Sequence, residues 1–169
     1  MLYIFGGLPA AGKSTLARAL AHERGAVYVR VDTIEQALRA NGAWRDGPEG
    51  YAVGYQVAAD NLALGLAVVA DSVNPLTITR QAWRDLALRA GVPLREIEVI
   101  CSDTAEHRVR AETRVVDIAG LVPPTWDAIV RRSYAPWEDA HLVIDTAGQT
   151  TAQSIAALLA LLQEQDRQQ

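Results

Sequence analysis

Between an apolar run, Met1 to Phe5, and a helical pattern, Ser14 to Arg24, lies the stretch GLPAAGKS, Gly7 to Ser14. Its spacing, G-x-x-x-x-G-K-[ST], is that of a Walker A loop, a motif that carries meaning only after a strand and before a helix. Both flanks fit. The apolar run suits a buried strand, and Leu16, Ala17, Leu20 and Ala21 fall on one face of the following helix. Gly7 and Gly12 accept backbone angles that a β-carbon resists, so the turn Gly7, Leu8, Pro9, Ala10, Ala11, Gly12 can aim its N–H groups at phosphate oxygens. The start of the helix adds about half a positive charge from its dipole. Lys13 reaches the β- and γ-phosphates, the Ser14 hydroxyl can ligate Mg2+, and Thr15 is a spare hydroxyl at the same site. The expected ligand is ATP with magnesium.

Composition sharpens this reading. Lys13 is the sole lysine among 16 basic residues, so a compact ammonium stands where a phosphate loop wants one. A chain of 169 residues fits one domain, residues 1–169, with a sizeable core and no need of disulfides. No uninterrupted apolar run approaches the ~20 residues of a membrane span, and no basic segment precedes the first strand. The lone Cys101 sits in an apolar run and reads as a small buried hydrophobe. A soluble, cytoplasmic protein is the expectation. A net charge of −4 leaves no electrostatic footprint for extended nucleic-acid binding, although a short 5′ end could enter an arginine-lined pocket.

Further along, strands are predicted at Ala26 to Val31, Leu66 to Ala70, Glu96 to Cys101 and Leu142 to Asp145. Helices are predicted at Asp32 to Ala40, opening at an acidic cap, then Tyr51 to Gly65, Thr77 to Ala90, Thr104 to Thr113, Trp126 to Tyr134 and Thr151 to Gln165. NGAWRDGPEG, Asn41 to Gly50, is a loop, and the tail QEQDRQQ reads as frayed. Five strands alternating with helices, at spacings too long for hairpins, call for a five-stranded parallel sheet covered on both faces, a three-layer α/β/α fold. Ligands then bind outside the carboxyl ends of the strands.

Two carboxylates stand at those ends. Asp71 closes LAVVA in the manner of a Walker B acid and would hold magnesium directly or through water. Asp32 follows VYVRV and is placed to orient and deprotonate an attacking hydroxyl; each could instead simply cap the next helix. Arg108, Arg110 and Arg114 end a helix before the irregular stretch up to Pro124. Arginines on such a lid, around residues 108–124, suit the charge that develops on a phosphoryl group in flight, and a closed lid excludes water. The plain alternative is a solvated helix face, since Glu106, Arg110 and Arg114 are spaced by four.

GLPAAGKSTLARAL, VRVDTIEQAL, VVADSVNPLTITRQAWRDLALRAG, HRVRAETR and LVPPTWDAIVRRSY together resemble the P-loop kinases grouped around phage polynucleotide kinase, with chloramphenicol phosphotransferase and zeta toxins among them. The likeness runs from Leu2 to about Ala147, and the D-x-x-x-P-x-x-x-x-R-x-x-W run from Asp71 to Trp83 narrows it within the AAA-type ATP-binding kinases. It implies that Asp32 is the base, Asp71 the acid near magnesium, and Arg110 and Arg114 the lid arginines. It also implies that Thr146 and Gly148, in DTAGQT, border the adenine. Arg80 matches an arginine of that group without a clear role. Polynucleotide kinase has an arginine three residues after its base; this chain has Glu35, which argues against a 3′-phosphorylated acceptor. VDTIEQAL is nearer to chloramphenicol phosphotransferase and suggests a small neutral hydroxyl compound.

Trp44, Tyr51 and Tyr55 are candidates for an acceptor wall, with packing as the alternative. Trp83, Trp126 and Trp137 read as core, and His22, His107 and His141 lack metal-ligand spacing. The function implied is γ-phosphoryl transfer from ATP to a hydroxyl of a small molecule. A 5′-hydroxyl polynucleotide or nucleoside kinase is the alternative within enzymes, and a nucleotide-dependent switch NTPase the alternative outside them.

Overall fold

The computed structural model describes residues 1–45 and 47–167; Asp46, within the stretch Asn41 to Gly50 read as a loop, and Gln168 and Gln169, the end of the tail read as frayed, lie outside the described residues. The first strand, β1 (Leu2–Gly6), is buried along its whole length because it is the middle strand of five. It pairs in parallel with β3 (Val68–Asp71) on one side and β4 (Leu94–Ile100) on the other. Outside these lie β2 (Val27–Arg30), parallel to β3, and β5 (Leu142–Asp145), parallel to β4. The order β2-β3-β1-β4-β5 reverses direction at β1, which places a crevice at the end of that strand, where the glycine loop begins.

Alternation along the strands builds two cores. Tyr3, Phe5, Val69, Ile97 and Val99 face α1 (Lys13–Arg24) and α7 (Thr151–Arg167), with Leu16, Leu20, Leu158 and Leu162 opposite them. Leu2, Ile4, Val68 and Ala70 face the other way, against α3 (Glu49–Ala63) and α4 (Thr77–Ala90). The three-layer α/β/α arrangement expected from the sequence is what the chain forms. The remaining helices are α2 (Val31–Ala40), α5 (Thr104–Thr113) and the single-turn α6 (Trp126–Val130). Among the described residues no helix is long and apolar enough to cross a membrane.

Two boundaries differ from the sequence reading in ways that matter for the site. The second strand stops at Arg30, and Asp32 lies inside the first turn of α2; the cap position belongs to Arg30, with no side-chain cap bond. Asp32 is therefore not the acidic cap that was expected. The sixth helix, read as reaching Tyr134, ends at Val130. The residue before Pro136 is disfavoured in a helix, and the backbone there is committed elsewhere: Ala135 N donates to Pro75 O at 2.7 Å, and the Arg80 guanidinium takes the carbonyls of Ala135 and Pro136.

The Asp71-to-Trp83 run thus acts as a scaffold. Fully buried Trp83 donates its indole N–H to Asn74 Oδ1 at 3.2 Å, and Asn74 Nδ2 donates to Phe5 O at 2.8 Å, joining α4 to the end of the central strand. Arg80, whose role the sequence left open, is 2 % exposed and lies over the Trp137 ring. Trp83→Ala, which empties the centre of the second core, is expected to lower unfolding free energy by about 3–5 kcal/mol. Urea unfolding checks this, and a loss under about 1 kcal/mol would mean that the site collapses around the deletion.

Candidate active site

The glycine loop owes its shape to three left-handed residues. Gly7 has φ +131° and Gly12 φ +102°, as the sequence reading required, and Ala10 joins them at φ 68°, a non-glycine strain that it did not foresee. At Gly7 a β-carbon would stand 2.1 Å from Val99 O, so no side chain fits. His107, buried on α5, contacts Pro9 O through Nε2 at 2.8 Å and packs edge-on to Trp126. Lys13 lies 7 % exposed under the loop, its Nζ donating to Leu8 O at 3.0 Å. Burial pushes its ammonium down from the ordinary lysine range; Asp71 and then Asp32 oppose this, while Arg114 and Arg132 add to it.

Asp71 ends β3 in register with Phe5 and Arg30 and is 2 % exposed. Its Oδ2 accepts the Tyr28 hydroxyl at 2.6 Å and lies 3.7 Å from Arg30 Nε; Oδ1 has no protein partner among the described residues. Burial, followed by the Asp71 charge, pushes the Tyr28 phenol far up, so it remains a donor to this carboxylate. Tyr28 and Arg30 are two apart on one strand, a period-2 signal legible in AVYVRV that the sequence reading passed over. No group of three or more His, Cys, Asp or Glu among the described residues forms a metal cage. Magnesium in nucleotide sites is commonly held by one or two carboxylates together with phosphates and water. Ser14 faces the cavity and fits such a role; Asp71, 2 % exposed at the end of β3, is not among the residues that line it.

The loop opens into a cavity of about 800 Å3, within the range of small-molecule sites. Lys13, Ser14 and Thr15 line it after the central strand; Thr146, Gln149, Thr151 and Ser154 line it from beyond β5, and Asp32, Glu35, Gln36 and Tyr51 from beyond β2, at opposite edges of the sheet. The segment after α5 supplies Arg114, Val115, Val116, Asp117 and Gly120 to Val122. Asp117 ties this segment down, accepting from Arg30 Nη1 at 2.9 Å and pairing with Arg18, and Gly120 lies against the Gln36 amide.

The hydrogen bond from Arg30, more than any other favourable contact, holds the Asp117 carboxyl below its ordinary value near 3.8. A depressed pKa stabilises above the unfolded value and is lost as pH falls through the folded one. The protection factors of amides 115–121, exchange rates corrected for the intrinsic pH dependence, are therefore expected to change little from pH 8 to pH 5. Asp117→Asn should accelerate that exchange at pH 7, and unchanged protection would remove Asp117 as the tether.

The three arginines of the sequence reading separate. Arg108 is on the solvent face, paired with Glu112. Arg110 points to the β5–α7 turn, donating to Thr146 Oγ1 at 2.7 Å and Thr146 O at 2.9 Å while pairing with Glu106. The Arg114 side chain faces the cavity with no protein partner among the described residues. Thr146, 4 % exposed, bonds to the glycine loop at Ala11 O, whereas Gly148 does not line the cavity and gives its N–H to Glu106. Of the aromatic candidates only Tyr51 lines the cavity. Tyr55 packs edge-on against Trp83 and donates to Thr79 O, and the Arg39 guanidinium lies over Trp44. Arg30, Asp117 and Arg132 were missed; the last follows a one-turn helix that gives no periodic signal.

A family model described as an AAA domain, AAA_33, matches residues 2–123. No curated protein matches. Among solved structures, a putative kinase from Chloroflexus aurantiacus superposes with TM-score 0.69 at 21% identity, over 96% of each chain. A gluconokinase from Sinorhizobium meliloti gives 0.65 at 16% identity, covering 98% of this chain and 95% of its own. The APS kinase of Mycobacterium tuberculosis, solved with AMPPNP and APS, gives 0.61 at 17% identity over 96% of each. The likeness in fold is to P-loop NTPases of the kinase type.

Proposed function

The chain belongs to the AAA_33 family of AAA domains, and on that premise we propose that it is an ATP- and magnesium-dependent kinase acting on a hydroxyl of a small acceptor. One observation carries this reading: a single cavity joins the glycine loop and Lys13 to Asp32, the carboxylate on the far side from the base-end residues Thr146 and Gln149. The kinase activities named for the gluconokinase and the APS kinase support it, as does the AMPPNP bound in the latter. The narrower kinship with the kinases around phage polynucleotide kinase is part of the same reading, supported by the Asp71-to-Trp83 run.

The roles follow from position. Backbone N–H groups of the loop and the Lys13 ammonium hold the β- and γ-phosphates. Asp32 takes the proton of the acceptor hydroxyl as its oxygen bonds to the γ-phosphorus and the bond to the ADP oxygen breaks. Arg114 meets the charge on the transferring group. Arg110, bound to Thr146, works at the base end and fixes the turn there. Magnesium, when bound at Ser14, supplies neutralisation of phosphate charge. Residues 114–124 close as a lid over the acceptor end and keep water out.

The test is ADP release from magnesium-ATP with a panel of nucleosides, sugars, sugar acids, antibiotics bearing hydroxyls and a 5′-hydroxyl oligonucleotide. One small-molecule class is expected to raise the rate well above the acceptor-free background. Stimulation by the oligonucleotide alone would move the assignment to a polynucleotide kinase, and stimulation by none would leave an NTPase.

A further inference from the structure

Six arginines line the cavity, and four are already spoken for. Arg18 and Arg30 hold Asp117, Arg39 pairs with Glu35 at 3.3 Å, and Arg110 is bound to Glu106 and Thr146. The side chains of Arg114 and Arg132 have no hydrogen bond or ion pair with any described residue. The two are not equivalent. Arg132 lies three residues before Ala135, whose N–H is bound to Pro75 O, and Pro75 lines the cavity together with Tyr51; the Arg132 charge also acts on Glu35, whereas Arg114 directly follows α5, the helix that Arg110 ties to Thr146. Arg132 therefore stands toward the acceptor, and Arg114 toward the phosphates.

The acidic side of the acceptor end is largely neutralised. Glu35 has its charge matched by Arg39 and its side chain pressed against Gly50, where a β-carbon would come within 2.3 Å of it. Desolvation, then the charge of Asp32, raises its pKa above the ordinary carboxylate value, which further weakens it as a receptor for a cation. Asp32 is needed for the hydroxyl proton. One positive charge, Arg132, is left over, and a guanidinium offers two parallel N–H donors that match a planar carboxylate.

We propose that Arg132 binds a carboxylate on the acceptor, so that this cavity takes a hydroxy acid in preference to a neutral alcohol. This deepens the kinase reading and rests on it, and it replaces the neutral acceptor suggested by the likeness of VDTIEQAL to chloramphenicol phosphotransferase. Glu35 excludes a second negative group close to Asp32; it does not exclude one that reaches Arg132.

Matched pairs of acceptors test it: glycerol with glycerate, and sorbitol with gluconate, each at saturating magnesium-ATP, with ADP release as readout. The acid of at least one pair is expected to be the better substrate. Arg132→Gln should raise KM for that acid by about 10-fold or more, the usual range for a lost charge-assisted hydrogen bond, with kcat changed by less than about 3-fold. Arg132→Lys should recover part of the loss. Arg132 is exposed, and thermal melting of both variants is expected to match wild type. A wild-type preference for the neutral members overturns the proposal. So does a fall in kcat that is equal for acid and neutral acceptors, which assigns Arg132 to the transferring phosphoryl group. Either result leaves the kinase reading standing. If no acceptor raises ADP release above background, both readings fall together.

Discussion

Lys13→Met is expected to abolish ATP turnover, by at least about 100-fold, and to leave the nucleotide-free protein as thermostable as wild type or more so. The first half follows from removing the ammonium that faces the phosphates, since loss of one preorganised charge donor at a reacting centre commonly costs 10²–10³ in rate. The second follows from burial. Lys13 is 7 % exposed with one hydrogen bond, to a carbonyl, and burial lowers its pKa in the folded state. A lysine with a lowered folded pKa opposes folding at low and neutral pH, and this penalty fades as pH rises through the folded value. Methionine fills similar space without the charge. The advantage in Tm should therefore shrink toward alkaline pH. A variant several degrees less stable at pH 7 would show that Lys13 holds the loop together rather than waiting for phosphate.

Asp32→Asn separates chemistry from nucleotide binding. Its carboxylate lines the acceptor end of the cavity, in the first turn of α2, and touches none of the loop carbonyls or N–H groups. Amide replacement keeps the shape and removes the proton acceptor. Phosphoryl transfer is expected to fall about 10²–10⁴-fold, while ATP affinity by calorimetry stays within about 3-fold. Full retention of transfer would take the base role away from Asp32. A large loss of ATP affinity would place the residue with the phosphates and metal.

Much of the scaffold was legible in the sequence because its signals are local. The loop needs positive φ at Gly7 and Gly12 and both have it, and the continuous apolar run at β1 is what a strand buried on both faces requires. Asp71 as the acid at the end of β3 was readable for the same reason. What escaped depends on contacts between distant segments. Nothing in HRVRAETR shows that Arg110 turns to Thr146, 36 residues on, while Arg108 stays on the surface and Arg114 lines the cavity with its side chain unpartnered among the described residues. Asp117 gains its partners from α1 and the end of β2, and Arg132 is placed by Arg80 and Pro75 gripping the chain at Ala135. The strand order, which decides that Tyr28 meets Asp71, is likewise a property of the sheet and not of any one strand.

The central claim is that the γ-phosphoryl group leaves ATP for an organic hydroxyl and not for water. Its most direct test is to follow ATP labelled in the γ-phosphate through complete turnover with the best acceptor of the panel, and to divide the label between organic phosphate ester and inorganic phosphate. Most of the label is expected in the ester, with the ester fraction collapsing in Asp32→Asn. Recovery of all the label as inorganic phosphate, at a rate that no acceptor changes, would contradict the account and leave an ATP hydrolase.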